Sequence, residues 1–450
     1  MFSVTQMLRR AAQLNPKGAA TVTEHEEVTW SELENRTACL ASGLQSLGVE
    51  TGDRVAILAL NSARYYESLF SIPWSGGVTV PVNTRLADPE IEYWLSDSAS
   101  KVILADDQFA ERVAALNSKL PDLKHLVYMG SGDTPEGFTS YTHLLEQAPT
   151  KDAMRGNLDL AALYYTGGTT GRSKGVMLSH QNIVTNTLQS SNILNVKDNE
   201  RILHVAPMFH IADAVMCNTA ALVAGSNYFL PTFDPEQVMQ TVEKHQIQRA
   251  LLVPTMINMM VHHPAIEKYD LSCFRNVVYG ASPMPEAVIS KALTAMPDTL
   301  FTQGYGQTEA APFITGLPPE RHTLEGPMAG KISSAGRASP GIELVIMDEN
   351  DQPLGVGEVG EVCLRGPNVM LGYRNMPEVT AETLRNGWLH TGDSGRLDEE
   401  GFLFIVDRVK DMIVSGGENV YSTEVENALY QYPGISQCAV IGIPHKTWGE

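Results

Sequence analysis

Residues 165–175 read Tyr-Thr-Gly-Gly-Thr-Thr-Gly-Arg-Ser-Lys-Gly, and they directly follow an apolar stretch, Leu160 to Tyr164, that is typical of a buried strand. Glycines let the backbone approach a ligand closely, and hydroxyls and successive N–H groups are donors for phosphate oxygens. The order Ser173-Lys174-Gly175 excludes a Walker A loop, which needs Gly-Lys followed by Ser or Thr. A flexible surface loop is the alternative, but such loops do not usually begin at a buried strand. The segment therefore predicts a phosphate-binding loop, with Lys174 as its positive charge.

Strand and helix patterns alternate on both sides of this loop. The helical spacing of Ala63 to Ser75, for example, ends at Gly76-Gly77. Strands separated by helices predict mostly parallel, doubly wound sheets, and the strands are numerous enough for two. The predicted strands are Arg54–Leu60, Val78–Val82, Lys101–Ala105, His125–Met129, Arg201–Ala206, Asn227–Leu230, Ala250–Val253, Asn276–Tyr279 and Leu300–Gln303.

The pattern changes after about Gly336, where turn residues are dense and the strands are short. Glu343–Met347, Gly360–Arg365 and Gly401–Val406 predict an antiparallel barrel or meander. A last unit begins near Arg408, with a helix at Glu424–Tyr430 and a strand at Ile435–Ile443. The predicted fold class is therefore α/β. A large N-terminal domain, residues 1–407, holds two doubly wound sheets and a small distorted β-barrel, and residues 408–450 form an incomplete α+β C-terminal domain.

Composition narrows the class of partner. Asp and Glu number 52 against 32 Lys and Arg, a formal net charge of −20, which disfavours nucleic acid and anionic membrane surfaces. The five cysteines are scattered without any Cys-x-x-Cys pair, and no apolar run has the length of a membrane span. These features favour a soluble cytoplasmic protein with reduced thiols and no integral membrane association. A homodimer is compatible with the sequence.

Four further motifs occur in order along the chain. They are Gly280-Ala281-Ser282-Pro283, Gln303-Gly304-Tyr305-Gly306-Gln307-Thr308-Glu309, Trp388-Leu389-His390-Thr391-Gly392-Asp393 and Arg408-Val409-Lys410-Asp411. Together with the loop at 165–175, they resemble the signatures of the adenylate-forming superfamily, which includes acyl-CoA synthetases, peptide-synthetase adenylation domains and beetle luciferases. The loop departs from the usual pattern at Gly168, where the superfamily has Ser, so one hydroxyl donor is lost while the backbone is kept.

The resemblance implies ATP, Mg²⁺ and coenzyme A as cofactors and assigns roles to individual residues. Tyr305 would stack on adenine, Asp393 would take the ribose hydroxyls, and Thr308 would bond the α-phosphate. Glu309 would hold Mg²⁺, Lys174 would neutralise phosphate charge, and Lys410 would be the hinge between the domains. The remaining nucleotide-binding residues would be Thr166, Gly167, Gly168, Thr169, Thr170, Gly171, Gly280, Ala281, Ser282, Gln303, Gly304, Gly306 and Arg408.

The small-molecule partner implied is a carboxylic acid. Pro207 to Asp213 resembles the acyl-pocket segment, in which amino-acid-activating members have an Asp where this chain has His210, so a plain acid is favoured. His210 is a catalytic candidate, and a core histidine is the alternative. The predicted acyl pocket consists of Phe209, His210, Thr255, Met256, Ala310 and Ala311. A medium- or long-chain fatty acid and an aryl-propenoic acid remain open. Malonate is disfavoured because no further arginine is evident to pair a second carboxylate.

The acceptor is expected to be coenzyme A, since Gly416-Gly417 resembles the loop beside the pantetheine tunnel. Two alternatives stay open: a ligase that loads a carrier protein, and a nucleotide-binding form with little activity. The second arises because the superfamily carries a further lysine several dozen residues beyond the hinge, and nothing after Gly417 resembles that segment. The chain as given is therefore expected to be a poorly active acid–thiol ligase.

Overall fold

A computed structural model describes residues 1–167, 172–408, 413–415, 418–430, 432, 435 and 438–445. Within them an eight-stranded sheet has the order β19-β9-β8-β4-β3-β5-β6-β7. Its centre is parallel, while β8, β9 and β19 pair antiparallel at one edge. The strands are β3 Arg54–Leu58, β4 Val78–Pro81, β5 Ser100–Ala105, β6 His125–Tyr128, β7 Phe138–Ser140, β8 Leu160–Thr166, β9 Lys174–Ser179 and β19 Gly372–Tyr373.

A nine-stranded sheet has the order β16-β15-β14-β13-β12-β10-β11-β1-β2. It is parallel from β1 to β14 and antiparallel at both edges. The strands are β1 Ala19–Val22, β2 Glu27–Thr29, β10 Arg201–His204, β11 Ser226–Phe229, β12 Arg249–Leu251, β13 Asn276–Gly280, β14 Leu300–Gly306, β15 Phe313–Leu317 and β16 Arg337–Ala338. The two doubly wound sheets expected from the sequence are thus confirmed.

The third unit is a four-stranded antiparallel sheet, β17-β18-β20-β21, where the sequence predicts a barrel or meander. Its strands are β17 Glu343–Met347, β18 Gly360–Arg365, β20 Leu389–Leu397 and β21 Leu403–Arg408, and a hairpin of β22 Ile413–Ser415 and β23 Glu418–Val420 follows. The described residues 435 and 438–443 form no strand, so the predicted strand at Ile435–Ile443 is wrong there. One reason is that the Val440 N–H donates to the side chain of Glu426 rather than to a neighbouring strand.

Helices pack between and around the sheets. They are α1 Val4–Leu14, α2 Trp30–Ser46, α3 Ala63–Ser75, α4 Asp88–Ser98, α5 Ala110–Asn117, α6 Tyr141–Leu145, α7 His180–Leu194, α8 Ile211–Leu222, α9 Pro235–His245, α10 Pro254–Val261, α11 Glu286–Ala295, α12 Pro377–Thr383 and α13 Ser422–Tyr430. The bounds of α3 are those predicted, because the Ser62 hydroxyl caps its start and Gly76, with φ of 93°, ends it. None of the described helices is long and apolar enough to cross a membrane.

The largest apolar core joins the two big sheets. It contains Val55 and Tyr164 from the eight-stranded sheet, Ala20 from the nine-stranded sheet, and Tyr66 and Cys217 from the helices between them. Burying aromatic and aliphatic side chains from both sheets in one cluster fixes the sheets relative to each other. The loops at their carboxyl-terminal edges therefore meet in a defined geometry, which is where open α/β sheets place their ligands.

Candidate active site

A cavity of about 930 Å³ lies where these loops meet. Its walls come from all three sheets: Thr166, Gly167 and Lys174 from the eight-stranded sheet, His210 and Gly306 to Glu309 from the loops of the nine-stranded sheet, and His390 to Gly392 and Arg408 from the antiparallel sheet. Residues separated by more than 200 positions thus share one concave surface, which is the usual form of a small-molecule site. The structure therefore brings together several of the residues that the sequence motifs single out.

The two ends of the phosphate-loop candidate are fixed by the sheet. Thr166 and Lys174 are paired in register across β8 and β9, and both line the cavity. The Arg172 guanidinium lies over the ring of Tyr93, 5.5 Å from its centroid, and the Tyr93 hydroxyl donates to the Ser173 carbonyl oxygen. Gly168, Thr169, Thr170 and Gly171 lie outside the described residues, as do Lys410, Gly416 and Gly417.

Glu309 is an acidic residue of the cavity wall that is linked to Lys174 through Tyr373. It sits on a short 3₁₀ helix, Thr308–Ala310, and is 8% exposed. The Tyr373 hydroxyl donates to Glu309 Oε1 at 2.7 Å, and Lys174 Nζ lies 4.7 Å from the centroid of the same ring. Burial, reinforced by the Glu309 charge, raises the pKa of Tyr373, so its phenol keeps the proton that it donates. Lys174, Tyr373 and Glu309 form one connected group, which we call the Lys174–Glu309 cluster.

A second group of side chains is organised around Asp393. Tyr305 and Asp393 are not themselves part of the cavity wall, but Gly306, Gly392 and Arg408 beside them are. The Tyr305 hydroxyl donates to Asp393 Oδ2 at 2.7 Å, and Arg408 Nε lies 3.6 Å from Asp393 Oδ1. Asp393 and Arg408 are partners in the register of β20 and β21. Burial, and next the Asp393 charge, raises the pKa of Tyr305, which therefore stays a neutral donor. Three of the predicted nucleotide-binding residues are thus in direct contact.

The structure explains why residues 304 and 306 are glycine, which the sequence alone does not. A Cβ atom at Gly306 would lie 1.8 Å from the Pro312 carbonyl oxygen, and one at Gly304 would lie 2.1 Å from the ring of Phe313. Close packing of β14 against the segment 312–313 therefore requires both glycines, whether or not a ligand approaches. Of the other residues predicted on this side, Ala281 lines the cavity, while Gly280, Ser282, Gln303 and Gly304 are not part of its wall.

His210 and Met256 line the apolar side of the cavity, beside Pro207, Ile211 and Val253. His210 is an exposed residue of the cavity wall. Desolvation by the surrounding protein, together with the nearby Arg85 charge, lowers its pKa to about 4. Its imidazole is therefore neutral at physiological pH.

The other predicted acyl-pocket residues lie elsewhere. Phe209 is buried with its ring centroid 4.4 Å from that of His210, and Thr255 is exposed. Ala310 and Ala311 are fully buried in the core rather than in the cavity wall, because backbone bonds from the 3₁₀ helix turn them inward.

Several wall residues were not found by sequence reasoning. Tyr373 belongs to a two-residue strand that only the tertiary fold brings beside β9, so no local pattern marks it. Arg85 and Arg172 also line the cavity, so the absence of an arginine for a second carboxylate, inferred from the sequence, was wrong. His390 and Glu361 bond to each other at 2.8 Å in the wall, and His390 could have been found because it lies within the Trp388–Asp393 motif.

Comparisons with known proteins agree with this geometry. The family model "AMP-binding enzyme" matches residues 8–374, and the model "AMP-binding enzyme C-terminal domain" matches residues 424–450. A feruloyl-CoA synthase of Amycolatopsis sp is 39% identical over 442 residues, covering 98% of this chain and 86% of the relative. A fatty acid–[acyl-carrier-protein] ligase, ScoC of Streptomyces coeruleorubidus, is 35% identical, covering 98% of this chain and 83% of the relative.

Among solved structures, the anthranilate CoA ligase AuaEII in complex with anthranoyl-AMP superposes with a TM-score of 0.91 at 26% identity, covering 99% of this chain and 85% of that one. Sequence and fold agree over almost the whole chain. The family match, the relatives and the shared architecture lead to one conclusion: this chain belongs to the AMP-binding enzyme family, in the acyl-CoA synthetase branch of the adenylate-forming superfamily.

Proposed function

We propose that this protein is an AMP-forming acyl-CoA synthetase. A carboxylate oxygen of the acid attacks the α-phosphorus of ATP, the bond to pyrophosphate breaks, and acyl-AMP forms. The deprotonated thiol of coenzyme A then attacks the acyl carbon and releases AMP. The observation that carries the proposal is the single cavity that Lys174, Thr308, Glu309 and His210 line together. Positive charge and hydroxyl donors lie on one side of it and apolar side chains on the other, as an acid joined to a nucleotide requires.

The first half-reaction brings two anions together, so its catalysis must consist of positioning and charge neutralisation. In our proposal Lys174 supplies the positive charge, and Thr308 donates its hydroxyl to an α-phosphate oxygen. The ring of Tyr373 limits the directions in which the Lys174 ammonium can point, since the two are 4.7 Å apart. No protein nucleophile is required.

Glu309 fits a role in holding Mg²⁺. It offers a hard carboxylate oxygen in the cavity wall, and the Tyr373 hydroxyl bonds Oε1, which fixes the orientation of the carboxylate. When bound, Mg²⁺ would neutralise part of the phosphate charge. In the same proposal Tyr305, Asp393 and Arg408 bind the nucleotide, together with Thr166, Gly167, Ala281 and Gly306, which line the cavity.

His210 supports the choice of a plain carboxylic acid. A neutral imidazole can hydrogen-bond a carboxylate, but it does not provide the negative charge that an ammonium group would need. An aryl-propenoic acid is favoured because a 39% identical relative is named a feruloyl-CoA synthase. A medium- or long-chain fatty acid is the second candidate. Loading of a carrier protein is kept as an alternative acceptor, because a relative with that activity in its name is 35% identical.

The domain assignment belongs to the same proposal. Residues 1–407 would bind ATP and the acid, and residues 408–450 would belong to a mobile domain that turns about Lys410, in line with the separate match of residues 424–450. The five free cysteines are compatible with a reducing cytoplasm. A homodimer is part of the proposal and can be checked by light scattering.

The test is a panel of acids incubated with ATP, Mg²⁺ and either coenzyme A or a phosphopantetheinylated carrier protein. Products are identified by mass spectrometry, and pyrophosphate release is followed in parallel. The proposal predicts AMP, pyrophosphate and an acyl-CoA thioester from at least one aryl-propenoic or fatty acid. Transfer to the carrier protein alone would favour the alternative acceptor. Release of ADP and phosphate in place of AMP and pyrophosphate would contradict the proposed reaction.

A further inference from the structure

A hydrogen-bonded group with no solvent exposure lies beside the apolar part of the cavity. His204 Nδ1 is 2.9 Å from Asp213 Oδ2, and His204 Nε2 is 2.8 Å from Asn227 Oδ1. The Asn227 amide nitrogen donates to the Ala20 carbonyl oxygen, so its oxygen must be the atom that faces His204. Both ring nitrogens of His204 therefore face acceptor oxygens. We call His204 and its carboxylate partner the His204–Asp213 pair.

The second oxygen of Asp213 is different. Oδ1 is buried and has no hydrogen-bond partner among the described residues, although Asp213 is one of the residues that line the cavity. The hydroxyl of Tyr65 is likewise buried without a partner in the described part of the chain. Burial raises the pKa of Tyr65, and the smaller contributions come from Tyr164, Cys217 and Asp213, so this hydroxyl lies near the same carboxylate. A buried carboxylate oxygen without a donor destabilises the protein, and a bound donor would remove that cost.

We propose that Asp213 Oδ1 accepts a hydrogen bond from the phenolic hydroxyl of an aryl-propenoic acid and thereby selects hydroxylated substrates. The inference rests on the proposed acid activation at this site. A neutral donor fits Asp213 Oδ1, whereas an ammonium group would bring a further charge into the core. A rigid aromatic acid also reaches a fixed acceptor with less loss of conformational entropy than an alkyl chain.

The experiment compares acids that differ only in the hydroxyl. Initial rates of pyrophosphate release give kcat/KM for cinnamic acid and for its 3-hydroxy and 4-hydroxy derivatives, with wild type and Asp213→Asn. Wild type should prefer at least one hydroxylated acid by about tenfold or more, because loss of the donor leaves a buried acceptor unpaired. In Asp213→Asn the charge is gone and an N–H group can face the cavity, so the preference should fall to about twofold or less.

Cys217→Ala is the matched control. Cys217 is buried in the same network, with Sγ 3.5 Å from His204 Nδ1, but it does not line the cavity. This variant should keep the wild-type preference, because the Asp213 carboxylate is unchanged. Loss of preference in Cys217→Ala, persistence of the preference in Asp213→Asn, or equal use of all three acids by wild type would overturn the inference.

Calorimetric binding of the same acids separates this inference from the proposed function. Selective binding of a hydroxylated acid without pyrophosphate release would refute the proposed reaction and support the role of Asp213. Pyrophosphate release without discrimination among the acids would support the proposed reaction and refute the role of Asp213. Equal use of the three acids by wild type would overturn the inference even if Asp213→Asn fails to fold, which thermal melting would show.

Discussion

The Glu309 carboxylate has two roles in the proposed enzyme. One oxygen accepts a hydrogen bond from Tyr373, and the group lines the cavity, where it is proposed to bind Mg²⁺. Glu309→Gln keeps an oxygen for the Tyr373 hydroxyl but removes the charge. We expect pyrophosphate release to fall on the order of 100-fold and to need more Mg²⁺, since a well-placed charge contributes several kcal/mol to such a site. Rates measured across a Mg²⁺ titration check this expectation.

Tyr373→Phe is the companion variant. It loses the hydrogen bond to Glu309 but keeps the ring beside Lys174, so it should retain more activity than Glu309→Gln. Equal Mg²⁺ dependence in wild type and Glu309→Gln would remove Glu309 from the metal site.

Lys174 is the second residue whose role can be tested alone. Lys174→Ala removes the charge from the start of β9, and we expect turnover at saturating ATP to fall at least about tenfold. Nucleotide binding, followed by calorimetry, should suffer less because the Tyr305 and Asp393 side is intact. Lys119→Ala provides the control, since this lysine is 59% exposed and forms only a surface ion pair. A Lys174→Ala variant with wild-type turnover would contradict the assignment.

At the residue scale the motifs identify the charged groups well and the pocket walls less well. Lys174, Glu309 and Asp393 lie within dense local motifs, in which neighbouring glycine, serine and threonine residues make the expected role of the charged residue specific. Tyr373 has no such pattern, because it reaches the cavity only through the pairing of two strands that are distant in the sequence. Ala310 was misplaced for the opposite reason: its neighbour Glu309 faces the cavity, but the tight 3₁₀ turn points the next residue into the core.

Helix α7 holds the loop that carries Glu309. The Asn186 amide nitrogen donates to the carbonyl oxygens of Phe313 at 2.7 Å and Ala310 at 3.3 Å, and its side-chain oxygen accepts from Phe313 N–H. Asn186→Ala would remove the side-chain partner of the Phe313 N–H and carbonyl oxygen, while Ala310 would keep its bond from Asn368. We therefore expect a loss of roughly 1–3 kcal/mol in the free energy of unfolding. Turnover should fall as well, because the 3₁₀ helix loses its support.

Chemical denaturation and pyrophosphate release test this expectation on the same samples. Ser191→Ala is the control on the same helix, since the Ser191 hydroxyl donates to the Leu188 carbonyl oxygen within an exposed turn. An Asn186→Ala protein with unchanged stability would mean that the loop is held by other contacts, such as the Asn368 amide on Ala310.

Element prediction succeeded where hydrophobic runs are long and bounded by turns, as for α3, β17 and β18. The parallel centres of both big sheets also follow from alternation of strands and helices. The short antiparallel strand β19 does not, because two residues carry no periodicity and their pairing with β9 depends on chain more than 190 positions away. Yet this strand places Tyr373 in the site.

For the whole molecule, two buried histidines make stability sensitive to acid. Burial lowers the pKa of His180 and of His322 to about 4 from 6.5. Below about pH 6.5 these histidines bind protons in the unfolded chain but not in the folded chain. The free energy of unfolding is therefore unaffected by them above that pH and decreases as the pH falls towards 4. Each unit of pH in that window costs up to about 1.4 kcal/mol per histidine.

The variant His180→Asn tests this sign. Its side-chain oxygen can still accept from Val4 N–H, as His180 Nδ1 does, but it does not titrate. The melting temperature should therefore fall less between pH 7.5 and 5.5 than in wild type. The control variant His262→Asn, at an exposed position, should show the wild-type dependence of melting temperature on pH. If His180→Asn also shows the wild-type dependence, His180 does not remain neutral in the folded protein.

The hydrogen bond from Tyr305 to Asp393 bears on how the enzyme distinguishes ribose from deoxyribose. A ribose hydroxyl that approaches Asp393 Oδ2 from the direction of the Tyr305 phenol must displace it, so one hydrogen bond is exchanged for another and little affinity is gained. The dissociation constants of ATP and its deoxy analogues for wild type should then agree within about threefold. For Tyr305→Phe, ATP should bind up to about tenfold more tightly than the deoxy analogues, because the ribose hydroxyl then gains a free acceptor. The Tyr305 hydroxyl would therefore compete with the ribose hydroxyl for Asp393, and removing the Tyr305 hydroxyl would increase the selectivity for ribose.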